Sequence, residues 1–135
     1  MIDRDGLEQL FAQYGWPMDT KDFGNLNIVF TEDSKFTVQI AGGDTYGPIE
    51  GRAAIYDFVS QTVGAQTDQR RHVITNVRVE SASEEKTVAT AILTLLVSEN
   101  GSLELKSSGL YRGEVVQEDG QWRFSSLHLL LDVPF

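Results

Sequence analysis

The feature that most constrains the fold is the second half of the chain, where strand-like segments follow one another with short turns between them. The segments are residues 71–81, 87–98, 103–117 and 121–131. Asn100-Gly101 and Asp119-Gly120 separate the last three segments, and such dipeptides are the strongest short-range signals for β-hairpins. Glu84-Glu85 marks the remaining turn. The pattern therefore predicts an antiparallel meander of four strands.

The chain before the meander begins with a helical pattern. Asp5 followed by Glu8 has the spacing of a capping box. From Leu7 to Tyr14 the apolar residues recur at helical spacing, which predicts an amphipathic helix. Gly15-Trp16-Pro17 predicts the end of that helix, because a proline disfavours a helical residue before it.

The remaining N-terminal elements follow from similar patterns. A second helix is predicted over about residues 20–30, with Asp19 or Thr20 as its N-cap. The predictions that follow it are a turn over 31–34, a strand over 35–41, a short return strand over 46–49 and a third helix from Gly51 to about Gly64. Three helices followed by a long antiparallel sheet is an α+β layout. A curled sheet with helices across its concave side encloses a pocket.

Charge and composition exclude several classes of function. The net charge of −9 and the pI of about 4.5 argue against a nucleic-acid partner. No apolar run is long enough to span a membrane. The chain has no cysteine, and its two histidines are far apart without an ordered acidic set, so no metal site is expected. No glycine loop of the phosphate-binding kind is present, and no cofactor is expected.

The acidic start of the chain, residues 1–5, lacks the basic region and apolar run of a signal peptide. This favours a cytoplasmic protein.

The first strand of the meander contains the main candidate for proton transfer, His72. Histidine is the side chain whose unperturbed pKa lies near neutrality, so it is the usual general base. Asn76 lies four residues further along the same strand and is a hydrogen-bond donor and acceptor. Simple alternation places His72 with Asn76 on one face and Val73 with three other residues, 75, 77 and 79, on the other. Taken alone, this pattern points the valines inward and His72 toward water.

An ordered set of short motifs runs through the chain. They are Tyr14 with Asp19 and Asp22, and residues 30–33, 47–55, 72–76, 109–111 and 119–124. Together they span about residues 7–132. This set resembles the SnoaL-like branch of the nuclear-transport-factor-like fold, which includes scytalone dehydratase, bile-acid dehydratase, lindane dehydrochlorinase and polyketide cyclases.

The resemblance implies a single domain, residues 1–135, in which a cone-shaped curved sheet of about six strands wraps around three N-terminal helices. It also implies a dyad of His72 with Asp19, or with Asp22, and Tyr14 as an acid or hydrogen-bond donor. The expected activity is a cofactor-independent lyase or isomerase of dehydratase, double-bond isomerase or cyclase type, acting on a hydrophobic small molecule. The alternative is a non-catalytic binding or assembly module, whereas an epoxide-hydrolase type would need two carboxylates flanking an arginine.

Further residues are candidates for binding the small molecule. Beside Asn76, they are Trp16, Phe23, Tyr46, Phe58, Tyr111, Phe124 and His128. His128 is included because simple alternation places it on the same face of the last strand as Phe124.

The apolar valine face of the first meander strand predicts a homodimer or a larger homo-oligomer formed through the outside of the sheet.

Overall fold

The computed structural model describes residues 1–135 and has three helices and six strands. In chain order the elements are α1 (Arg4–Thr20), a 3-10 turn (Phe23–Asn25), α2 (Leu26–Val29), β1 (Phe30–Ile40), β2 (Thr45–Glu50), α3 (Arg52–Gly64), β3 (Gln69–Ala82), β4 (Thr87–Glu99), β5 (Ser102–Glu118) and β6 (Gln121–Leu131). The α+β class and the four-strand meander are confirmed. The strand predicted over 35–41, the return strand and the third helix are confirmed as well.

The six strands form one sheet in the order β2-β1-β6-β5-β4-β3. All neighbours are antiparallel except β1 and β6, which run parallel. In both predicted hairpins the two turn residues have positive φ, which is the backbone conformation that Asn-Gly and Asp-Gly favour. The sheet is open and curled like a cone, with α1 packed mainly on β3 and α3 on β1.

Irregular pairing on β3 decides which residues face the inside of the sheet. The register between β3 and β4 shifts between Thr75 and Arg78, and Asn76 has a φ of 56°. Such a bulge bends a strand and moves the following side chains to the opposite face. His72, before the bulge, lines the inner cavity, and Val77, after it, packs against the core. Val73 is exposed, so the expectation that the valines face inward and His72 faces water is wrong.

The prediction that the first helix ends at Gly15-Trp16-Pro17 is wrong, since α1 continues to Thr20. Pro17 has no backbone N–H, so the carbonyl of Gln13 receives no hydrogen bond from it. The side-chain amide of Asn25 donates to this carbonyl instead, over 2.6 Å. The helix ends at Lys21, which has a φ of 64° and whose N–H donates to the carbonyl of Pro17.

The second predicted helix, over 20–30, is also largely wrong. Only a 3-10 turn and the single turn of α2 form there, and the predicted turn over 31–34 belongs to β1. Asp19 lies inside the last turn of α1 and caps no second helix. Leu26 of α2 and Phe30 at the start of β1 are nevertheless fully buried.

The core lies between the concave face of the sheet and the helices. Aromatic rings from both layers meet in it, with Phe11 on α1 packed edge-on against Phe124 on β6. Gly113 of β5 makes room for the Phe124 ring, because a Cβ at this position would lie 2.6 Å from a ring carbon.

No helix is both long and apolar enough to cross a membrane.

Glu118, at the end of β5, connects three parts of the fold. Its carboxylate accepts hydrogen bonds from the backbone N–H of Glu32 at 3.0 Å and from the guanidinium of Arg123 at 2.6 Å. Arg52 at the start of α3 is 3.4 Å from the same carboxylate. The Glu32 N–H and then Arg123 lower the pKa of Glu118 below its usual value.

We expect Glu118→Gln to lower the free energy of unfolding at neutral pH by about 2 kcal/mol, because hydrogen bonds to a charged group are lost. Since the pKa of Glu118 is lowered in the folded protein, its contribution is complete above the unfolded-state pKa. The contribution is lost as the pH falls, so the difference between variant and wild type should shrink below about pH 4. Urea unfolding at several pH values measures this.

Glu114→Gln is the matched control, because the pair of Glu114 with Lys86 is more exposed to solvent. It should change the unfolding free energy by less than about 1 kcal/mol. Equal effects of the two substitutions would contradict the role assigned to Glu118.

Candidate active site

An apolar cavity lies between the concave face of the sheet and the helices, with a volume of about 70 Å³. Sixteen side chains line it, and twelve of them are hydrophobic: Tyr14, Met18, Phe36, Val38, Phe58, Val59, Val63, Leu93, Leu95, Leu129, Leu131 and Phe135. The four polar ones are Thr62, Gln66, Arg70 and His72. A cavity that is mostly apolar, with a few polar groups, is typical of a site for a small organic molecule.

His72 lies in the wall of this cavity and contacts Asp19 through two of its groups. The carboxylate of Asp19 is 2.6 Å from Nδ1 of the His72 ring, and it also accepts the His72 backbone N–H at 3.0 and 3.1 Å. Both side chains are largely buried, at 12% and 18% exposure. Because an ionised carboxylate only accepts hydrogen bonds, Nδ1 carries the proton in this pair. Nε2 of the neutral ring is then a free acceptor.

The continuation of α1 beyond Pro17 is what brings Asp19 to His72. At this end of the helix, the side-chain amide of Gln69 donates to the backbone carbonyl of Asp19 at 2.8 Å. Gly15 of α1 faces this part of β3, where a Cβ would lie at ordinary van der Waals distances of 3.5 and 3.8 Å from Ile74 and His72. Asp22, the other acid that the sequence allowed, follows the helix and is exposed.

Tyr14 lines the cavity one turn before Met18 and is fully buried. Its hydroxyl accepts a hydrogen bond of 3.3 Å from the hydroxyl of Tyr111, which is its one partner in the protein. Burial raises the pKa of Tyr14, and the nearby charge of Asp19 adds to this, while the hydrogen bond from Tyr111 acts in the opposite direction. Tyr14 therefore stays protonated and can act as a hydrogen-bond donor.

A second depression, which we call the outer groove, lies between α1 and β3 on the other side of His72. It has a volume of about 550 Å³, and Trp16, Asp19, His72 and Asn76 are among its lining residues. Trp16 is 56% exposed at this position. His72 therefore lines both the inner cavity and the outer groove, whereas Asp19, Trp16 and Asn76 line the groove.

The other predicted binding residues lie in different places. Phe58 lines the cavity, and Tyr46 packs against both Phe58 and Phe135 near it. The remaining aromatic candidates, Phe23, Tyr111 and Phe124, pack in or against the core and do not line the cavity.

His128 does not lie in the site, contrary to the expectation. The register between β5 and β6 shifts between Glu114 and Val115, so that Phe124 and Leu127 both face inward. His128 consequently lies on the outer face, where its Nε2 is 3.1 Å from the side-chain oxygen of Gln39.

Sequence reasoning missed several residues of the cavity. Arg70 was not among the predicted site residues, yet it is only 9% exposed. Its position two residues before His72, on the same face of a strand, is a signal that was present in the sequence. Gln66 and the C-terminal Phe135 lie in segments without a regular pattern, so nothing in the sequence pointed to them.

The structure contains no group of three or more histidine, aspartate or glutamate side chains placed to hold a metal ion.

The effects of removing the hydroxyls of Tyr14 and Tyr111 on the free energy of unfolding should not be additive. Tyr14→Phe or Tyr111→Phe alone leaves one buried hydroxyl without a partner, which should cost about 1–3 kcal/mol of unfolding free energy. The double substitution replaces both polar groups and should cost less than the sum of the two. Urea unfolding of the four proteins measures the difference. Additive costs would show that the hydroxyls do not depend on each other.

Solved structures with the same fold cover most of this chain. The beta subunit of a putative aromatic-ring-hydroxylating dioxygenase from Novosphingobium aromaticivorans has a TM-score of 0.82 and 17% identity, covering 98% of this chain and 90% of that one. Aln2 from Streptomyces sp. has a TM-score of 0.78 and 22% identity, covering 96% and 93%. These two likenesses show the fold alone.

A third solved structure is the hexachlorocyclohexane dehydrochlorinase LinA-type3 from Novosphingobium barchaimii. It has a TM-score of 0.74 and 25% identity, covering 95% of this chain and 85% of that one. Comparison with curated proteins gives no match. The family model described as the SnoaL-like domain matches residues 1–128, which is nearly the whole chain. This chain therefore belongs to the SnoaL-like domain family.

Proposed function

We propose that this protein is a cofactor-independent lyase or isomerase that removes a proton from a hydrophobic small molecule. The observation that carries the proposal is the 2.6 Å contact between Nδ1 of His72 and the carboxylate of Asp19, at the wall of an apolar cavity. The likeness to a protein described as a dehydrochlorinase supports this class of reaction. Dehydration, double-bond isomerisation and cyclisation all share the same first step.

In that step, Nε2 of His72 accepts the proton from a C–H bond of the substrate. The electron pair of that bond moves into the substrate, and the ring becomes an imidazolium. Asp19 holds Nδ1–H and stabilises the positive charge that forms on the ring. The reaction needs a base next to the substrate and a hydrogen-bond donor for the developing negative charge. We assign these roles to His72 and Tyr14.

Tyr14, which also lines the cavity, is the second group of this mechanism. Its hydroxyl stays protonated and accepts from Tyr111, which leaves its own proton free to be donated to a bound molecule. The apolar walls exclude water, and hydrogen bonds and charge interactions are stronger in such surroundings.

Exchange of carbon-bound hydrogen for deuterium tests the proton abstraction without knowledge of the natural substrate. Wild-type protein in heavy water should speed the α-exchange of at least one member of a panel of small cyclic and hydroxylated ketones, followed by NMR. His72→Gln removes the base, and Asp19→Asn removes the negative charge that stabilises the imidazolium. Each should slow the exchange by at least about a hundredfold.

Two matched controls separate this effect from a general change in charge or fold. Asp22→Asn changes an exposed acid three residues from Asp19, and His128→Gln changes a histidine on the outer face. Both should exchange at the wild-type rate. If the His72 and Asp19 variants also keep the wild-type rate, the dyad has no part in the reaction. If the wild-type protein exchanges none of the ketones, proton abstraction by His72 is excluded for small ketones as substrates.

An apolar patch on the outer face of the sheet favours an additional role in assembly. Val73, Ile92 and Leu110 lie on neighbouring strands and are 39–43% exposed, and Ile92 is paired directly with Leu110. Exposed apolar residues that are contiguous on a sheet are typical of protein–protein contacts. We propose that this patch, which we call the outer patch, joins two copies of the chain. A non-catalytic assembly module of the same fold would use it as well.

Light scattering coupled to size exclusion should show a dimer or larger oligomer at micromolar concentration. Ile92→Lys combined with Leu110→Lys should give a monomer, because two charges are placed in the apolar contact. Ile28→Lys is the control, since Ile28 is 43% exposed on α2, away from the outer patch. A wild-type monomer, or a dimer that is unaffected by the double variant, would remove the support for assembly through this face.

A further inference from the structure

The polar residues that line the inner cavity are close together in the sequence. All four polar lining residues come from one stretch of chain, the last part of α3 and the start of β3: Thr62, Gln66, Arg70 and His72. The other twelve lining residues are hydrophobic. A molecule that fits this cavity therefore has an apolar body and one polar end, which lies next to His72.

Arg70 is the one positively charged side chain among these residues. It is 9% exposed, and its guanidinium is held by the carboxylate of Asp68, which lies 2.9 Å from Nε and 3.3 Å from Nη2. The hydrogen bond from Arg70 lowers the pKa of Asp68, so the pair stays ionised. The two contacts fix the plane of the guanidinium, which reduces the entropy lost when a further hydrogen bond forms.

The third nitrogen of this guanidinium, Nη1, has no acceptor in the protein. The hydrogen bonds of the Arg70 side chain all go to Asp68 and use Nε and Nη2. Because Arg70 lines the cavity, this nitrogen is available to donate to a molecule bound there. An arginine donor of this strength favours an oxygen that carries or gains negative charge.

We propose that Arg70 binds the oxygen of a carbonyl group in the substrate, and that this oxygen becomes an enolate when His72 takes the neighbouring proton. The inference rests on the proposed function and narrows its substrates to carbonyl compounds with an acidic α-hydrogen. The C–H bond breaks and its proton moves to Nε2 of His72. The electron pair forms a carbon–carbon double bond, and the π pair of the carbonyl moves to the oxygen held by Arg70.

The spacing of the two residues suits this arrangement. Arg70 and His72 lie two residues apart on the same face of β3, and their Cα atoms are therefore roughly 6.6 Å apart. A carbonyl oxygen and its α-carbon can lie between the two side chains, with the apolar remainder of the substrate in the cavity. Hydrogen bonds at the position where negative charge develops lower the barrier most effectively.

Binding of para-nitrophenol tests the role of Arg70 separately from turnover. The phenolate resembles an enolate, and its absorbance differs from that of the neutral phenol. The wild-type protein should lower the pKa of the bound phenol. Arg70→Met should weaken phenolate binding about tenfold, because a hydrogen bond to a charged group is lost. Binding of para-nitrotoluene, which carries a methyl group in place of the hydroxyl, should change by less than about twofold.

Three variants complete the design. Arg71→Met removes the same charge from the adjacent exposed residue and should leave phenolate binding unchanged. Asp68→Asn keeps the positive charge of Arg70 but removes the ion pair that fixes its guanidinium, so it should weaken phenolate binding less than Arg70→Met does. His72→Gln should keep the preference for phenolate, so that this readout survives even if the dyad has no catalytic role.

The inference is overturned if Arg70→Met binds phenolate as wild type does, or if it loses both ligands equally. It is also overturned if Asp68→Asn loses phenolate as strongly as Arg70→Met, because Arg70 would then act only through its ion pair. Circular dichroism and thermal unfolding of each variant show whether it is folded. If Arg70→Met does not fold, Arg70→Gln gives the same comparison with a neutral side chain that keeps its polar end.

Discussion

The carboxylate of Asp19 is the group on which the rest of the site depends. It accepts both the backbone N–H and the ring Nδ1–H of His72, and so connects the last turn of α1 to the first inward-facing residues of β3. The same contact fixes the orientation of the His72 ring at the wall of the cavity. A protein that lost this interaction would lose the orientation of the ring together with part of the helix–sheet contact.

The proline in α1 makes this contact possible because of its surroundings. A helix that stopped at Gly15, as the local sequence suggests, would leave Asp19 in a loop without a defined direction. The amide of Asn25 replaces the hydrogen bond that Pro17 cannot make, and Gln69 binds the carbonyl of Asp19 itself. The position of the acid is therefore set by two side chains outside α1, one of them fifty residues away in sequence.

Much of the fold could be predicted from the sequence, because it depends on local signals. The Asn-Gly and Asp-Gly turns, the alternation in the strands and the apolar stripe of α3 are all readable from a few neighbouring residues. The errors concern features without such a signal. Neither the bulge at Asn76, which turns Val77 inward, nor the shift near Val115, which leaves His128 outside, has a local pattern.

The same limit applies to the site. His72 and Asp19 are brought together as the family resemblance implied, but Arg70 was overlooked because a strand residue beside a second arginine reads as surface charge. Its burial depends on Asp68 and on the curvature of the sheet, and neither can be deduced from spacing alone.

The parallel pairing of β1 with β6 has a consequence for how the protein is made. Phe36 near the start of the chain is paired with Leu127 near its end, so β1 and β2 cannot join the sheet until β6 has been synthesised. Contacts between such distant parts of a chain slow folding. During translation β1 and β2 must therefore wait with their apolar faces uncovered, and the concave chamber closes only after β6 has emerged from the ribosome.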